Sequence, residues 1–420
     1  MTKDEQLLGG YRVLDLTNEV GLLCGRVLAD LGADVIKIEK PGGDAARNIG
    51  PFYRDKAHPE KSLYWFFANL NKRGITLNIE TADGKEVFQR LVKQAHFVIE
   101  SFRPGYMESL GLGYEELARL NTSVIVTSIT PFGQTGPYAH YKVTDIVGMA
   151  MGGLMDQFVY SDTPGFRFST PQFFFIGGLH GAMGSLVAHY HREVTGEGQH
   201  VDVSAQQAVV NTLNMVIESW EAVRGPFRAV GAYTVTSRPT GLVRRRAIWP
   251  AKDGYVYTGI SGGAAPLMRA TSEGLRDMAN REGKLLEFKD FDFAAVDTLQ
   301  MTQEEWDRWD SLFGEFIKTK TKQELMDEAV RKRMMLAPVT TTEDIVKNPQ
   351  WAARELWIDV EHPDLGDTIR YPGFPAILGG ARPQPQRPAP LIGEHNEEIY
   401  GQELGLSRQQ LVMLKNHGII

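Results

Sequence analysis

Apolar and polar positions along the first 200 residues switch repeatedly between two periods. The stretch "YRVLDLT" (11 to 17) alternates like a strand, "GLLCGRVLADLG" (21 to 32) has helical spacing, and "ADVIKIE" (33 to 39) is a second apolar strand. The succession recurs as "GITLNIE" (strand), "DGKEVFQRLVKQA" (helix), "HFVIES" (strand), "YEELARL" (helix) and "SVIVTSIT" (strand). Strands alternating with helices predict a parallel sheet with helices on both faces. A further helix opens after Pro171, carries Phe173, Phe174 and Phe175 in its first turn, and runs to the turn "TGEGQ". "HVDVS" then reads as a strand and "AQQAVVNTLNMVIESWEAV" as one long helix.

The pattern changes near "RGPF". From there "GYVYTGIS" reads as a strand, and "EEWDRWDSLFGEFIKT" and "KQELMDEAVRKRM" as charged helices of a smaller domain. The tail holds "LWIDVEHPDLGDTIRYPG", a proline-rich connector "ARPQPQRPAPLIGEH" that predicts an extended, stiff segment, and a short helix "SRQQLVMLKNHG". The chain thus divides into 1–224, the main part of a large α/β domain; 225–335, a small domain; and 336–420, a linker and C-terminal segment returning to the large domain.

Composition narrows the function. With 420 residues, 42% hydrophobic and 23% charged, the chain has the make-up of a globular protein of more than one domain. A net charge of −7 argues against a nucleic-acid partner, which calls for clustered basic residues. One cysteine, Cys24, excludes an internal disulfide and a cysteine-based zinc site. Acidic residues stand where a signal peptide needs basic ones, and no apolar run reaches the roughly 20 residues that span a bilayer. A cytoplasmic protein with no membrane partner is expected. The apolar helix after Pro171 is read as buried in protein, and its His180, His189 and His191 as packed or capping residues; no metal is expected.

Glu39 at the end of the second strand suits a ribose-binding acid, but "LTNEVGLLCG" lacks the G-x-G-x-x-G that brings a pyrophosphate to the backbone, which argues against a dinucleotide enzyme. The ordered motifs "VLDLT", "LADLGADVIKIEKPGGDAAR", "NLNKRGITLN", "ESFRPGYMESLGLGYEEL", "TPFGQTGPYA", "REVTGEGQHVDVS", "EHPDLGDTIRYPG" and "PLIGEHNEEI" together resemble the class III CoA-transferases of the CaiB/BaiF type. That resemblance implies an α/β fold: a Rossmann-like large domain with a parallel sheet plus a smaller α+β domain, in an interlocked dimer. It implies coenzyme A as substrate or ligand, held at Lys40, Asn71, Lys72, Arg73 and Arg103. Phosphates call for such Lys and Arg donors on loops beyond the sheet.

The family's reacting group is an aspartate at the start of the helix before the "TGRGQ"-like turn. It attacks an acyl-CoA thioester, giving a mixed anhydride and then an aspartyl-CoA thioester. Moving back from "REVTGEGQ" through Gly184 and Gly178 without a gap brings that position to Phe174, and from Pro171 to His180 there is no Asp or Glu. A benzyl side chain cannot form the anhydride, and racemase chemistry, which uses the same aspartate, fails with it. Asp145 in "KVTDIVGMAMGG" matches a different family motif. The glycine-rich flap has no obvious counterpart in "TVTSRPTGLVRRRAI".

The resemblance therefore implies a non-catalytic subunit of a heteromeric enzyme, whose paralogous partner carries the aspartate. "NEVGLLCGRVLADLGADVIKIE" and "HPEKSLYWFFANLNKRG" are similar to the heteromeric benzylsuccinate branch of the family, which serves anaerobic toluene degradation. The expected reaction moves CoA between succinyl-CoA and a dicarboxylic aromatic acid such as (R)-benzylsuccinate. Arg244, Arg245 and Arg246 are candidates for the carboxylate that does not react, and Tyr64, Trp65, Phe66 and Phe67 either flank a phenyl group or belong to the core. Two alternatives stand beside this: a homodimeric sensor or scaffold that binds CoA or acyl-CoA without turnover, and an active transferase using another residue.

Overall fold

The computed structural model describes residues 6–159, 168–213, 216–224, 229–230, 232–239, 241–379, 382–383 and 387–420. The chain forms two compact units: Met1–Leu154, Arg167–Asn214 and Pro349–Ile420 make the large one, Met155–Phe166 and Met215–Asn348 the small one.

Along the large unit run β1 (Arg12–Leu16), α1 (Leu22–Asp30), β2 (Asp34–Glu39), α2 (Leu63–Asn69), β3 (Arg73–Thr76), α3 (Ala82–Val92), β4 (Phe97–Glu100), α4 (Tyr106–Ser109), α5 (Tyr114–Leu120), β5 (Ile125–Thr130) and α6 (Asp145–Met151). After β6 (Phe158–Val159) of the small unit, the large unit resumes with α7 (Gln172–Thr195), β7 (His200–Ser204) and α8 (Ala205–Thr212). Six strands pair in the order β3-β2-β1-β4-β5-β7, every pair parallel. The α/β class and parallel sheet expected from the alternating periods are the observed ones.

Side chains alternate across the sheet, so each face has its own core. Leu14, Ile36, Val98 and Val126 pack with Phe88 and Leu91 of α3 and Leu117 of α5. On the other face the glycines of α7 allow close approach. A Cβ on Gly178 would lie 3.0 Å from Leu23 Cβ, and one on Gly181 2.5 Å from Ile129 Cδ1. On the opposite side of α7, Leu179, Met183, Val187, Tyr190 and Val194 are exposed. Within this chain the helix is buried on one face.

The small unit contains α9 (Val216–Val223), β8 (Ala229–Val230), β9 (Tyr233–Arg238), β10 (Gly241–Arg246), β11 (Ile248–Ala251), β12 (Gly254–Thr258), α10 (Pro266–Asn280), α11 (Gln303–Ile317), α12 (Lys322–Lys332), β13 (Leu336–Pro338) and α13 (Thr342–Lys347). Its strands form two sheets, β10-β9-β8-β6 and β11-β12-β13. Its core draws on Trp249, Phe288, Phe293, Trp306, Phe313 and Leu325. The single helix expected over 205–223 is instead two, because Leu213 leaves helical geometry at ψ 48° and its N–H closes back on the Val210 carbonyl.

The chain returns to the large unit with α14 (Pro349–Ala353), the antiparallel pair β14 (Trp357–His362) and β15 (Asp367–Pro372), and α15 (Arg408–Asn416). Of the proline-rich connector, 381 and 384–386 lie outside the described residues. From Arg387 the segment is anchored: the Pro390 carbonyl accepts from Arg47 and Trp65, Asn396 Oδ1 accepts from the Thr76 N–H, and Tyr400 donates to the Thr76 carbonyl.

Candidate active site

In the strand order, β1 stands between β2 and β4, so successive crossovers leave it in opposite directions. The crevice outside the carboxyl ends of such strands is where open α/β sheets bind ligands. Here the two ends are tied together: the Asn18 N–H donates to Ser101 Oγ at 2.8 Å, and that hydroxyl donates to Asn18 Oδ1 at 2.9 Å. Beside this tie lies a cavity of about 160 Å³ lined by Leu16, Asn18, Lys40, Asp44, Ile79 and Phe102, among others. Its walls are largely apolar, with Lys40 among the lining residues.

The expected phosphate donors separate into two groups. Lys40 is exposed at this cavity and pairs with Glu80 at 2.8 Å. Arg103 is exposed on the loop after β4, near Tyr106, which donates to the same Glu80. Lys72 and Arg73 turn inward, and Asn71 is half-buried beside them. Lys72 is wholly buried, and its ammonium donates to Asp15 Oδ2 (2.8 Å), the Leu22 carbonyl (2.9 Å) and Asn69 Oδ1 (2.9 Å). Arg73 is spent on Asp34, Glu398 and Glu403. Asn71, with a left-handed φ of 66°, donates to Asp30. A buried ammonium with three acceptors has no face left for a phosphate.

At the start of α7, Phe174 is 4% exposed and its ring lies 5.8 Å from that of Phe173. Pro171 at the N-cap supplies no side-chain acceptor, and a helix N-terminus favours a negative charge. The acceptor comes from another element: Asp145, at the first turn of α6, takes the Phe174 N–H on Oδ1 at 3.2 Å. Nearby acids crowd one another. The half-buried Glu19 carboxyl is raised above its ordinary pKa by burial and then by Asp44 and Asp145; Tyr64 is raised by burial and then by Glu19, Asp145 and Asp44. Tyr64 also stacks on Phe175 at 6.1 Å, while Trp65 and Phe66 are core residues.

Several charged residues here escaped sequence reasoning. Arg47 grips Glu39 through two bonds of 2.7 Å and lies 3.9 Å over the Trp65 ring, so Glu39 is committed to structure. Asp15 is held below the usual carboxylate range: burial opposes its charge, but Lys72 and Lys37 outweigh it. Glu100, at the end of β4, accepts from the Phe102 N–H at 2.7 Å, and burial pushes it up to about 7. The one available signal was a charge at an inward position of an apolar strand, as in "RVLDL". Arg244, Arg245 and Arg246 lie on β10 of the small unit; the first and third line one cavity, while Arg245 lies over Trp306 at 4.2 Å. Among the described residues no group of three or more His, Cys, Asp or Glu could hold a metal, and no helix is long and apolar enough to cross a membrane.

Known proteins match this chain along nearly its whole length. The sequence pattern described as CoA-transferase family III matches residues 8–396. The subunit BbsE of succinyl-CoA:(R)-benzylsuccinate CoA-transferase from Thauera aromatica is 33% identical over 395 residues, covering 93% of this chain and 92% of that protein. A formyl-CoA:oxalate CoA-transferase of Streptomyces avermitilis is 31% identical over 424 residues, covering 98% of this chain and 99% of its own. Among solved structures, a CAIB/BAIF family protein from Brucella suis superposes with a TM-score of 0.77 at 26% identity, covering 94% of this chain and 98% of its own. The chain belongs to CoA-transferase family III, and CoA thioesters are the substrates of such transferases.

Proposed function

We propose that this chain is the non-catalytic subunit of a heteromeric class III CoA-transferase that moves CoA between succinyl-CoA and a dicarboxylic aromatic acid such as (R)-benzylsuccinate. One observation carries the reading: the position aligned with the family's reacting aspartate holds a buried benzyl ring, Phe174. Loss of a nucleophile within a catalytic unit commonly costs on the order of a millionfold in rate. The name of the Thauera relative, a subunit of a benzylsuccinate enzyme, supports both the assembly and the acceptor. In this reading Lys40 and Arg103 meet CoA phosphates, the crevice at the ends of β1 to β4 takes part of the nucleotide, and the partner, a paralogous chain interlocked with this one, supplies the aspartate.

The test is reconstitution. The purified chain alone should show only background CoA transfer from succinyl-CoA, and addition of a paralogous chain carrying the aspartate should raise the rate by several orders of magnitude. Robust turnover by the isolated chain would end the proposal.

One observation favours a second reading, an active chain that uses another carboxylate. The Glu19 side chain is half-buried, feels the charges of Asp44 and Asp145, and has no hydrogen-bonded partner among the described residues. Under that reading the isolated chain turns over and Glu19→Gln abolishes it; under the first there is no such rate to abolish.

A further inference from the structure

The small unit contains a cavity of about 290 Å³ whose lining includes Tyr233, Arg244, Arg246, Asp310, Ser311 and Lys318. Side chains two apart on a strand point to the same face, their Cα atoms about 6.6 Å apart. Arg244 and Arg246 therefore project together from β10, and both guanidinium groups lie over one ring, that of Tyr233, at 4.4 and 5.7 Å from its centroid. The ring holds the two forks side by side without neutralising them.

The acids of the opposite wall are already engaged. Asp310 accepts the Arg246 backbone N–H at 3.2 Å, Asp307 accepts from Gln303 at 2.7 Å, and Glu315 pairs with Lys318. Arg246 spends its Nε on the Ile248 carbonyl and attracts Asp310 at longer range, but among the described residues neither Arg244 nor Arg246 has a carboxylate within ion-pair distance. What remains uncommitted is two planar forks, each shaped for two parallel N–H···O bonds to one carboxylate. A polyanion such as a nucleotide phosphate chain would reach Asp307, Asp310 and Glu315 and be repelled. We propose that this cavity is a binding site for a small dicarboxylate, one carboxylate on each of Arg244 and Arg246.

The proposal deepens the reading above, in which the acceptor is a dicarboxylate, and because its test needs binding and no turnover the two can fail separately. The experiment is calorimetric titration of the full chain at pH 7.5 and low salt with succinate, acetate and inorganic phosphate, repeated on the double variant Arg244→Gln/Arg246→Gln, on Arg244→Lys, and on Arg308→Gln. Arg308 is an exposed cation of α11 paired with Glu287 and is not part of the cavity lining. Succinate should bind about tenfold or more tightly than acetate or phosphate, and the double variant should lose about tenfold or more, the worth of a charge-assisted pair. Arg308→Gln should leave binding unchanged. Arg244→Lys keeps the charge and removes the fork, so it should weaken succinate measurably and serves where the double variant does not fold. Absent succinate binding, phosphate binding as tightly as succinate, or equal affinity in the wild type and Arg244→Lys would overturn it.

Discussion

Gly25 is what lets Asp15 and Lys72 meet. A Cβ at that position would stand 2.2 Å from Asp15 Oδ2 and 3.0 Å from Lys72 Nζ, inside a buried network that has nowhere to shift. Breaking a buried pair strands a charge without water, which costs about 3 to 5 kcal/mol. Gly25→Ala is expected to lose stability of that order, measured by chemical denaturation; a loss below about 1 kcal/mol would refute the account.

Glu100 gives a pH prediction of definite sign. Its carboxyl keeps its proton up to about 7 in the folded chain, whereas in the unfolded chain it ionises near the ordinary glutamate value of 4.5. Between those values the folded state binds more protons, so stability falls as pH rises through the window. Glu100→Gln should therefore be more stable than wild type at pH 8, by roughly 1 to 3 kcal/mol, with the gap closing by pH 4.5. Neither residue was legible as a site in the sequence. A lysine beside an arginine in "NKR" has the same letters whether it meets a phosphate or an aspartate 57 positions away, and only the fold decides.

At the scale of elements, periodicity was readable where one face is apolar and the other polar, as in α3, α5, α11 and α12. It misled where tertiary contacts override local pattern. The strand predicted over "GITLNIE" starts one residue earlier and ends at Thr76, since Asn78 and Glu80 turn away to bond the C-terminal segment and Lys40. α7 shows the limit most clearly, being apolar on both sides while only its glycine side meets the rest of the chain. Gly181→Ala pushes a methyl against Ile129 and should cost about 1 to 3 kcal/mol, the usual range for overpacking. Met183→Ala, on the exposed side of the same helix, should change the stability of the isolated chain by less than about 0.5 kcal/mol. Equal costs for the two would mean that the seated face has been misassigned.

Over the whole molecule, the two units differ in how local their cores are. The large unit is completed only by the last part of the chain: Ile399, Tyr400, Leu414, Ile419 and Ile420 share a core with Leu14 and Ile36, and the Asn78 N–H donates to the Ile419 carbonyl. Contacts of such separation are slow to form, because loop closure must be met before they stabilise anything. Among the described residues, the small unit's buried cluster runs from Val243 to Leu336 without a residue from elsewhere. It includes α11 and α12, each opened by a full capping box, Thr302 with Glu305 and Thr321 with Glu324. A core and helix caps drawn from one continuous segment predict independent folding. The fragment 216–348 expressed alone should unfold in a single cooperative transition with Trp249, Trp306 and Trp309 shielded from quencher and the exposed Trp220 open to it, whereas a chain ending at residue 388 should lose the cooperative unfolding of the large unit and keep that of the small one. A fragment that binds hydrophobic dye and melts without a transition would show that this unit needs the rest of the chain to fold.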